Sequence, residues 1–240
     1  MRIGLIGYGK MGKAIERIAL DRGHSIAYKI NSDNPISTQD LNVADVAIEF
    51  TQPALAVNHI HACLDANLPV VVGTTAWQEH LATVISAVEA KDGSLLYASN
   101  FSVGVNILFQ INERLAQLMS KQPDYKASIE EIHHTQKLDA PSGTAVTLAE
   151  GILSNHAAYH SWVSALNEDP TAQVGELPIK ALREPDVPGI HTIAYDSPID
   201  TISLTHIAHS RDGFALGAVI AAEFLAGKKG IFTMRDVLAL

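Results

Sequence analysis

The sequence predicts an α/β protein: a Rossmann-type, doubly wound parallel sheet followed by a second domain of α+β character. Three observations carry this reading. From Arg2 to about Ser99, short apolar runs alternate with segments of helical period, which implies parallel strands with helices on both faces. A glycine turn, Gly7-Tyr8-Gly9-Lys10-Met11-Gly12, stands between the first strand and the first helix. Beyond Ser99 the alternation gives way to a long helix, an extended stretch and a tract rich in Pro, Asn and Asp.

Taken in order, Ile3–Ile6 reads as a strand, and Ile15, Ile18 and Ala19 recur at helical spacing until Gly23 supplies a stop. Ser25–Ile30 and Asp45–Phe50 are the next strands, and Pro53 starts a helix ending near Asn67. Pro69–Val72 is a continuous apolar run, the pattern of a strand buried on both faces. A helix over residues 76–91 then leads to the strand Ser94–Tyr97. In the second part a helix is expected over 105–120, with Ile107, Leu108, Ile111, Leu115 and Leu118 as its apolar stripe. Residues 125–134 read as extended, and a helix starts near Ser142 with Ala145, Val146, Leu148, Ala149 and Ile152. Residues 155–189 are expected to be irregular, Thr201–Ile207 a strand and Gly217–Gly227 a small-residue helix. The domains are set at 1–103 plus 212–240 and at 104–211, the final helix returning to the first domain.

The 240 residues are 47% hydrophobic and 18% charged, a globular balance rather than a disordered one. A net charge of −9 argues against nucleic acid as a partner, since neutralising phosphates needs clustered cations. No apolar run reaches the roughly 20 residues that span a bilayer, and the first residues enter a strand directly, so neither membrane association nor a signal peptide is expected. The single Cys63 has no disulfide partner, which fits a reducing cytoplasm and a packed core thiol. The pairs His59/His61 and His206/His209 lack a third convergent ligand in sequence, so no metal site is expected.

In the glycine turn the first glycine permits the bend, the second lets a pyrophosphate approach the backbone, and the third lets helix and strand pack closely. Gly7, Tyr8, Gly9, Lys10, Met11 and Gly12 are therefore candidates to hold a dinucleotide at the positive end of the helix. No carboxylate ends the second strand, although Asp33 is near, whereas Lys10, Lys13 and Lys29 are cations suited to a 2′-phosphate. NADPH is accordingly favoured slightly over NADH. Phe50-Thr51 and Gly73-Thr74-Thr75 are the strand ends that would face the nicotinamide.

Glu130-Glu131-Ile132-His133-His134-Thr135-Gln136-Lys137-Leu138-Asp139-Ala140-Pro141-Ser142-Gly143-Thr144-Ala145 carries most of the chemical information. Its second half is a helix start with Ser142 as a cap and free amides at Ser142, Gly143 and Thr144, suited to an anion. Two histidines and a lysine precede it, so a carboxylate ligand beside a titratable imidazole is implied. In a regular strand His133 and His134 would face opposite ways, so the strand must end or bulge there if both serve one ligand.

The run His133-His134-x-x-Lys137-x-Asp139-Ala140-Pro141-Ser142-Gly143-Thr144-Ala145 resembles the signature of the 4-hydroxy-tetrahydrodipicolinate reductase (dihydrodipicolinate reductase) family. Gly7–Gly12, Glu49-Phe50-Thr51, Gly73-Thr74-Thr75, residues 99–106, Thr205-His206-x-Ala208-x-Ser210-Arg211 and Gly217-Ala218 are similar to the family as well. The resemblance implies a cytoplasmic homotetramer reducing a small cyclic dicarboxylate with NAD(P)H on the route to diaminopimelate and lysine. His133 would be the proton donor, with Lys137 as its catalytic companion; His134, Lys137, Ser142, Gly143 and Thr144 would hold the carboxylates. Gly73, Thr75, Ser99, Asn100 and Phe101 would lie near the nicotinamide. The second domain would both bind substrate and mediate assembly. At Gly189-Ile190-His191 the chain departs from the commoner pattern, carrying Ala194 where many members have arginine, and a trimmed second sheet is expected. Two other readings account for the glycine turn: an aspartate- or homoserine-type dehydrogenase, and a nucleotide-binding regulator without catalysis. Neither explains the histidines, the lysine and the Pro-Ser-Gly-Thr run together.

Overall fold

The computed structural model describes residues 1–240, apart from the side chain of Thr38. It divides into two compact units, Met1–Val103 with Arg211–Leu240, and Gly104–Ser210.

The first unit is built on six parallel strands, β1 (Arg2–Ile6), β2 (Ser25–Ile30), β3 (Val46–Glu49), β4 (Val70–Val72), β5 (Ser94–Tyr97) and β11 (Gly230–Phe232), in the order β11-β5-β4-β3-β1-β2. The valines of β4 are fully buried, as a strand covered on both faces requires. One face packs against α1 (Lys10–Asp21) and α6 (Asp212–Leu225), the other against α2 (Pro53–Asp65) and α3 (Leu81–Ala90). The small residues of α6, among them Gly217, Ala218, Ala221 and Ala222, let it lie close: a Cβ at Gly217 would fall 1.7 Å from the carbonyl oxygen of Phe101. Strand order reverses at β1 and β3, so their carboxyl ends open a crevice where open α/β sheets bind ligands. β11 and α7 (Met234–Leu238), absent from the sequence expectation, complete this unit.

The second unit holds a mixed five-stranded sheet in the order Thr201–Ile207, Ile190–Asp196, Lys126–His133, Glu176–Arg183, Ser161–Leu166. β6 (Lys126–His133) is its centre, parallel to β8 (Glu176–Arg183) and antiparallel to β9 (Ile190–Asp196); β7 (Ser161–Leu166) and β10 (Thr201–Ile207) are the edges. Its core joins α4 (Val103–Met119) and α5 (Gly143–Asn155) to one sheet face, through Leu108, Ala116, Leu148, Ile152, Ile129, Ile179 and Ile193. Burying Leu148 and Ile152 contributes roughly 1.5–3 kcal/mol each.

Two expectations are corrected here. Residues 155–189 are not irregular, since β7 and β8 run through them; Pro178 sits inside β8 with Leu177, Ile179 and Ala181 buried around it. The apolar stripe of α4 is also rotated: Val105, Leu108, Asn112, Ala116 and Met119 are buried, while Ile107, Ile111 and Leu118 are exposed. Asn112 faces inward because its amide donates to the carbonyl oxygen of Leu148 at 2.9 Å, a partner that the sequence pattern does not reveal.

Candidate active site

In the first unit, β1 runs into the glycine turn, where Gly7 takes φ 97° and its N–H donates to the Ile30 carbonyl. A Cβ at Gly7 would lie 2.0 Å from the Phe50 carbonyl oxygen, and one at Gly12 would lie 2.3 Å from the Gly7 oxygen. Gly9 is different. It caps α1 without a side-chain hydrogen bond, and a Cβ there would meet nothing within 4 Å. The first turn of α1 carries no acidic residue, so no carboxylate of its own opposes the positive end of the dipole. Beside it lies a cleft of about 450 Å³ lined by Gly9, Lys10, Met11, Phe50, Thr51, Pro53, Gly73, Thr74 and Thr75. The Thr51 amide donates to Thr74 Oγ1 at 2.7 Å, tying the ends of β3 and β4 together, and the Thr51 hydroxyl donates to the buried Glu49 carboxylate, which also meets His59 Nδ1 at 3.3 Å. Tyr8 turns away to donate to Glu16, which also binds Lys29 Nζ at 2.6 Å. Lys29 is thus engaged, and among the described residues Lys10 and Lys13 are the other lysines at this end. Ser99 is exposed, whereas Asn100 and Phe101 are buried, with Phe101 packed 5.7 Å from the Phe50 ring. Cys63 is buried, and burial pushes its thiol up to about 12.

In the second unit, β6 ends at His133, and the chain turns at once, with Lys137 N–H donating to the His134 carbonyl at 3.0 Å. The strand therefore stops between the two histidines. His133 is buried, its ring 5.0 Å from that of His191 and nearly perpendicular to it. Gly189 makes room for this ring: a Cβ there would sit 3.2 Å from His133 Nε2. Glu131, two residues earlier and on the same face of β6, is fully buried. Its carboxylate accepts from the Ser142 N–H at 3.0 and 3.1 Å, and lies 3.5 Å from His133 Nδ1, 3.6 Å from His191 Nε2 and 3.8 Å from Arg183. Burial would raise this carboxyl, but the contacts with His191 and Ser142 and the neighbouring His133 outweigh it and hold it below the usual range. Burial lowers the His133 imidazole, and the pull of Glu131 offsets this only in part.

Ser142 caps α5, its hydroxyl accepting from the Ala145 N–H and bonding His191 Nε2 at 3.1 Å. Gly143 is exposed at the helix start, with open space where a Cβ would be; Thr144 is half-buried beside it. Lys137 Nζ reaches Asp139 at 2.6 Å, and Arg183 binds the carbonyls of Lys137 and Asp139, stapling this loop to β8. His133, Lys137 and the α5 start thus share one end of the sheet. Three residues here had no role in the sequence reading: Glu131, Arg183 and His191. Among the described residues, Glu131, His133 and His191 are also the one place where three potential metal-ligating groups converge. Both carboxylate oxygens share the Ser142 N–H and a guanidinium is near, the arrangement of a hydrogen-bonded hub.

Residues 1–101 match the family model described as dihydrodipicolinate reductase, N-terminus, and residues 104–238 match that of the C-terminus. A 4-hydroxy-tetrahydrodipicolinate reductase of Christiangramia forsetii is 49% identical over 100% of this chain and 98% of its own. The protein of the same name from Neisseria gonorrhoeae is 34% identical over 94% of this chain and 84% of its own. The dipicolinate-bound dihydrodipicolinate reductase from Paenisporosarcina sp. TG-14 shares the fold, with TM-score 0.74 at 22% identity over 97% of both chains. An aspartate dehydrogenase from Thermotoga maritima aligns with TM-score 0.53 at 13% identity, over 95% of this chain and 97% of its own. With both halves matched and near half the residues shared with a full-length relative, the chain belongs to the dihydrodipicolinate reductase family.

Proposed function

We propose that this chain reduces 4-hydroxy-tetrahydrodipicolinate to tetrahydrodipicolinate with NAD(P)H, in diaminopimelate and lysine biosynthesis. The observation that carries the reading is the buried His133 at the end of β6, beside a lysine and an open helix start, within a chain of this family. In it the first unit holds the nucleotide and the second the dicarboxylate. The glycine turn fits a dinucleotide: Gly7 and Gly12 have no room for a side chain, whereas Gly9 leaves space that a pyrophosphate would fill. Gly9–Gly12 would hold the phosphates; Thr51, Gly73, Thr74 and Thr75 the nicotinamide end, with Ser99, Asn100 and Phe101 close to it. When bound, the nicotinamide supplies the hydride.

His133 would supply the accompanying proton. In the free protein burial keeps its imidazole neutral, and two substrate carboxylates would draw it toward the protonated form. Lys137, His134, Gly143 and Thr144 would hold those carboxylates. NADPH is favoured by a small margin, carried by Lys10 and Lys13 now that Lys29 is paired with Glu16. A homotetramer would form through the second unit, where the uncovered sheet face shows a row of directly paired apolar residues, Leu182-Ile132-Ile190-Ile207. No helix among the described residues is long and apolar enough to cross a membrane. The test is a coupled assay with each cofactor, using substrate generated from pyruvate and aspartate semialdehyde. Steady oxidation of NADH or NADPH is expected; oxidation of neither overturns the proposal.

A further inference from the structure

Ser142 was expected to meet the ligand, and its backbone N–H and hydroxyl are both engaged inside the protein. Its N–H is shared between both oxygens of Glu131, and its hydroxyl is fixed between Ala145 N–H and His191. The exposed part of the α5 start is Gly143, with open space where a Cβ would stand. Glu131 is fully buried, and a buried carboxylate persists only when its partners compensate for lost hydration. Its partners come from every side: the α5 start through Ser142, β9 through His191, β8 through Arg183, and His133 on its own strand. Strand register enforces the arrangement, since Glu131 lies directly opposite His191 and His133 directly opposite Arg183.

We propose that Glu131 is a positioning residue for the reaction, its carboxylate tying the start of α5 to β6 and fixing how His133 and His191 stand beside the ligand. The inference rests on the functional reading above. Glu131 does not touch the dicarboxylate, whose negative charge it would repel. It acts through Ser142, whose placement sets where the exposed Gly143 stands at the start of α5, and through the imidazole of His133. The charged and titratable groups facing His133 are Glu131, His191, Arg183 and Lys137; the first turn of α5 contributes no acidic residue.

The experiment compares wild type, Glu131→Gln and Glu131→Asp in the full chain. Three readouts are taken: dipicolinate affinity by calorimetry, His133 titration by NMR of its ring protons, and NADH affinity. Glu131→Gln should weaken dipicolinate at least 10-fold and move the His133 titration to lower pH, with NADH affinity unchanged. Glu131→Asp keeps the charge but is one methylene shorter, so it should restore the titration and leave dipicolinate weak. A purely structural role would lower the melting temperature and leave the titration in place, and that result overturns the proposal. Where Glu131→Gln does not fold, His191→Asn carries the test: the His133 titration should rise and dipicolinate weaken several-fold, and no change in either refutes it. Wild-type protein that binds no dipicolinate would instead defeat the functional reading, so the two failures are distinct.

Discussion

Substituting alanine at Gly9 and at Gly12 should separate two kinds of work done within one turn. At Gly12 the new methyl would lie 2.3 Å from the Gly7 carbonyl oxygen, against 3.4 Å or more for ordinary contact. The obstacle is backbone and cannot swing aside. Overpacking of this sort costs about 1–3 kcal/mol, and alanine's better helix propensity returns up to about 1 kcal/mol of it. For a chain of this size each kcal/mol lowers the melting temperature by about 2–4 °C, so Gly12→Ala should melt several degrees low. At Gly9 the methyl meets no protein atom within 4 Å, and the backbone is extended at φ −83°, which alanine accepts. Stability should stay within about 0.5 kcal/mol of wild type. The methyl would instead occupy the approach to the α1 amides, and NADH affinity should fall at least 10-fold, or about 1.4 kcal/mol. Thermal melts and NADH fluorescence titrations read the two effects apart. Gly9→Ala protein that binds NADH as wild type does, or Gly12→Ala protein that melts as wild type does, would refute the reasoning.

His133→Gln should lower kcat by at least 10²-fold while NADH affinity is retained; undiminished turnover would remove His133 from its assigned place. The same variant bears on acid stability. Because the folded imidazole lies below its ordinary 6.5, the unfolded chain takes its proton first, and stability falls as pH drops below 6.5. Glu131 is held below its ordinary 4.5, so its contribution is present above 4.5 and is lost as pH falls through the folded value. Melting temperatures at pH 7, 5.5, 4 and 3 should therefore decline in two stages, and His133→Gln should shrink the first, with His156 and His206, also lowered by burial, supplying the rest. Binding of dipicolinate at pH 7 should take up close to one proton, measured by calorimetry in buffers of different ionisation enthalpy; zero uptake would mean that His133 stays neutral beside the ligand. Glu16→Gln should release Lys29 from its ion pair, leaving only its contact with Tyr8, and shift the kcat/KM ratio toward NADPH by up to about 5-fold, the effect of roughly 1 kcal/mol from one exposed cation.

The first unit was legible because its signals are local. Runs such as Val70–Val72 and the placement of Gly7, Gly9 and Gly12 declare strand and turn without reference to distant residues. The cap at Ser142 could be read in the same way. What escaped was non-local. Pro178 disguised β8, and with it went Arg183, which reaches the 137–139 loop only because β8 pairs in parallel with β6. His191 lies 60 residues beyond Glu131 in the chain, and only the register of β9 brings them face to face. Lys29 was read as a free cation because nothing in the sequence reveals that Glu16, one helix away, binds it.

The placement of α6 bears on how the protein is made. Ala215, Ala218, Val219, Ala222 and Leu225 close the core over β1 and β3, yet they follow all of residues 104–210 in the chain. At ribosomal speeds of about 5–20 residues per second, the nascent first unit would wait roughly 5–20 s with that apolar face of its sheet covered by α1 alone. Its strands are then a hazard that holdase chaperones would have to cover. A ribosome stalled anywhere before residue 212 would release a chain that cannot bury its own centre, so early termination should yield aggregate or degradation rather than a half-active nucleotide binder.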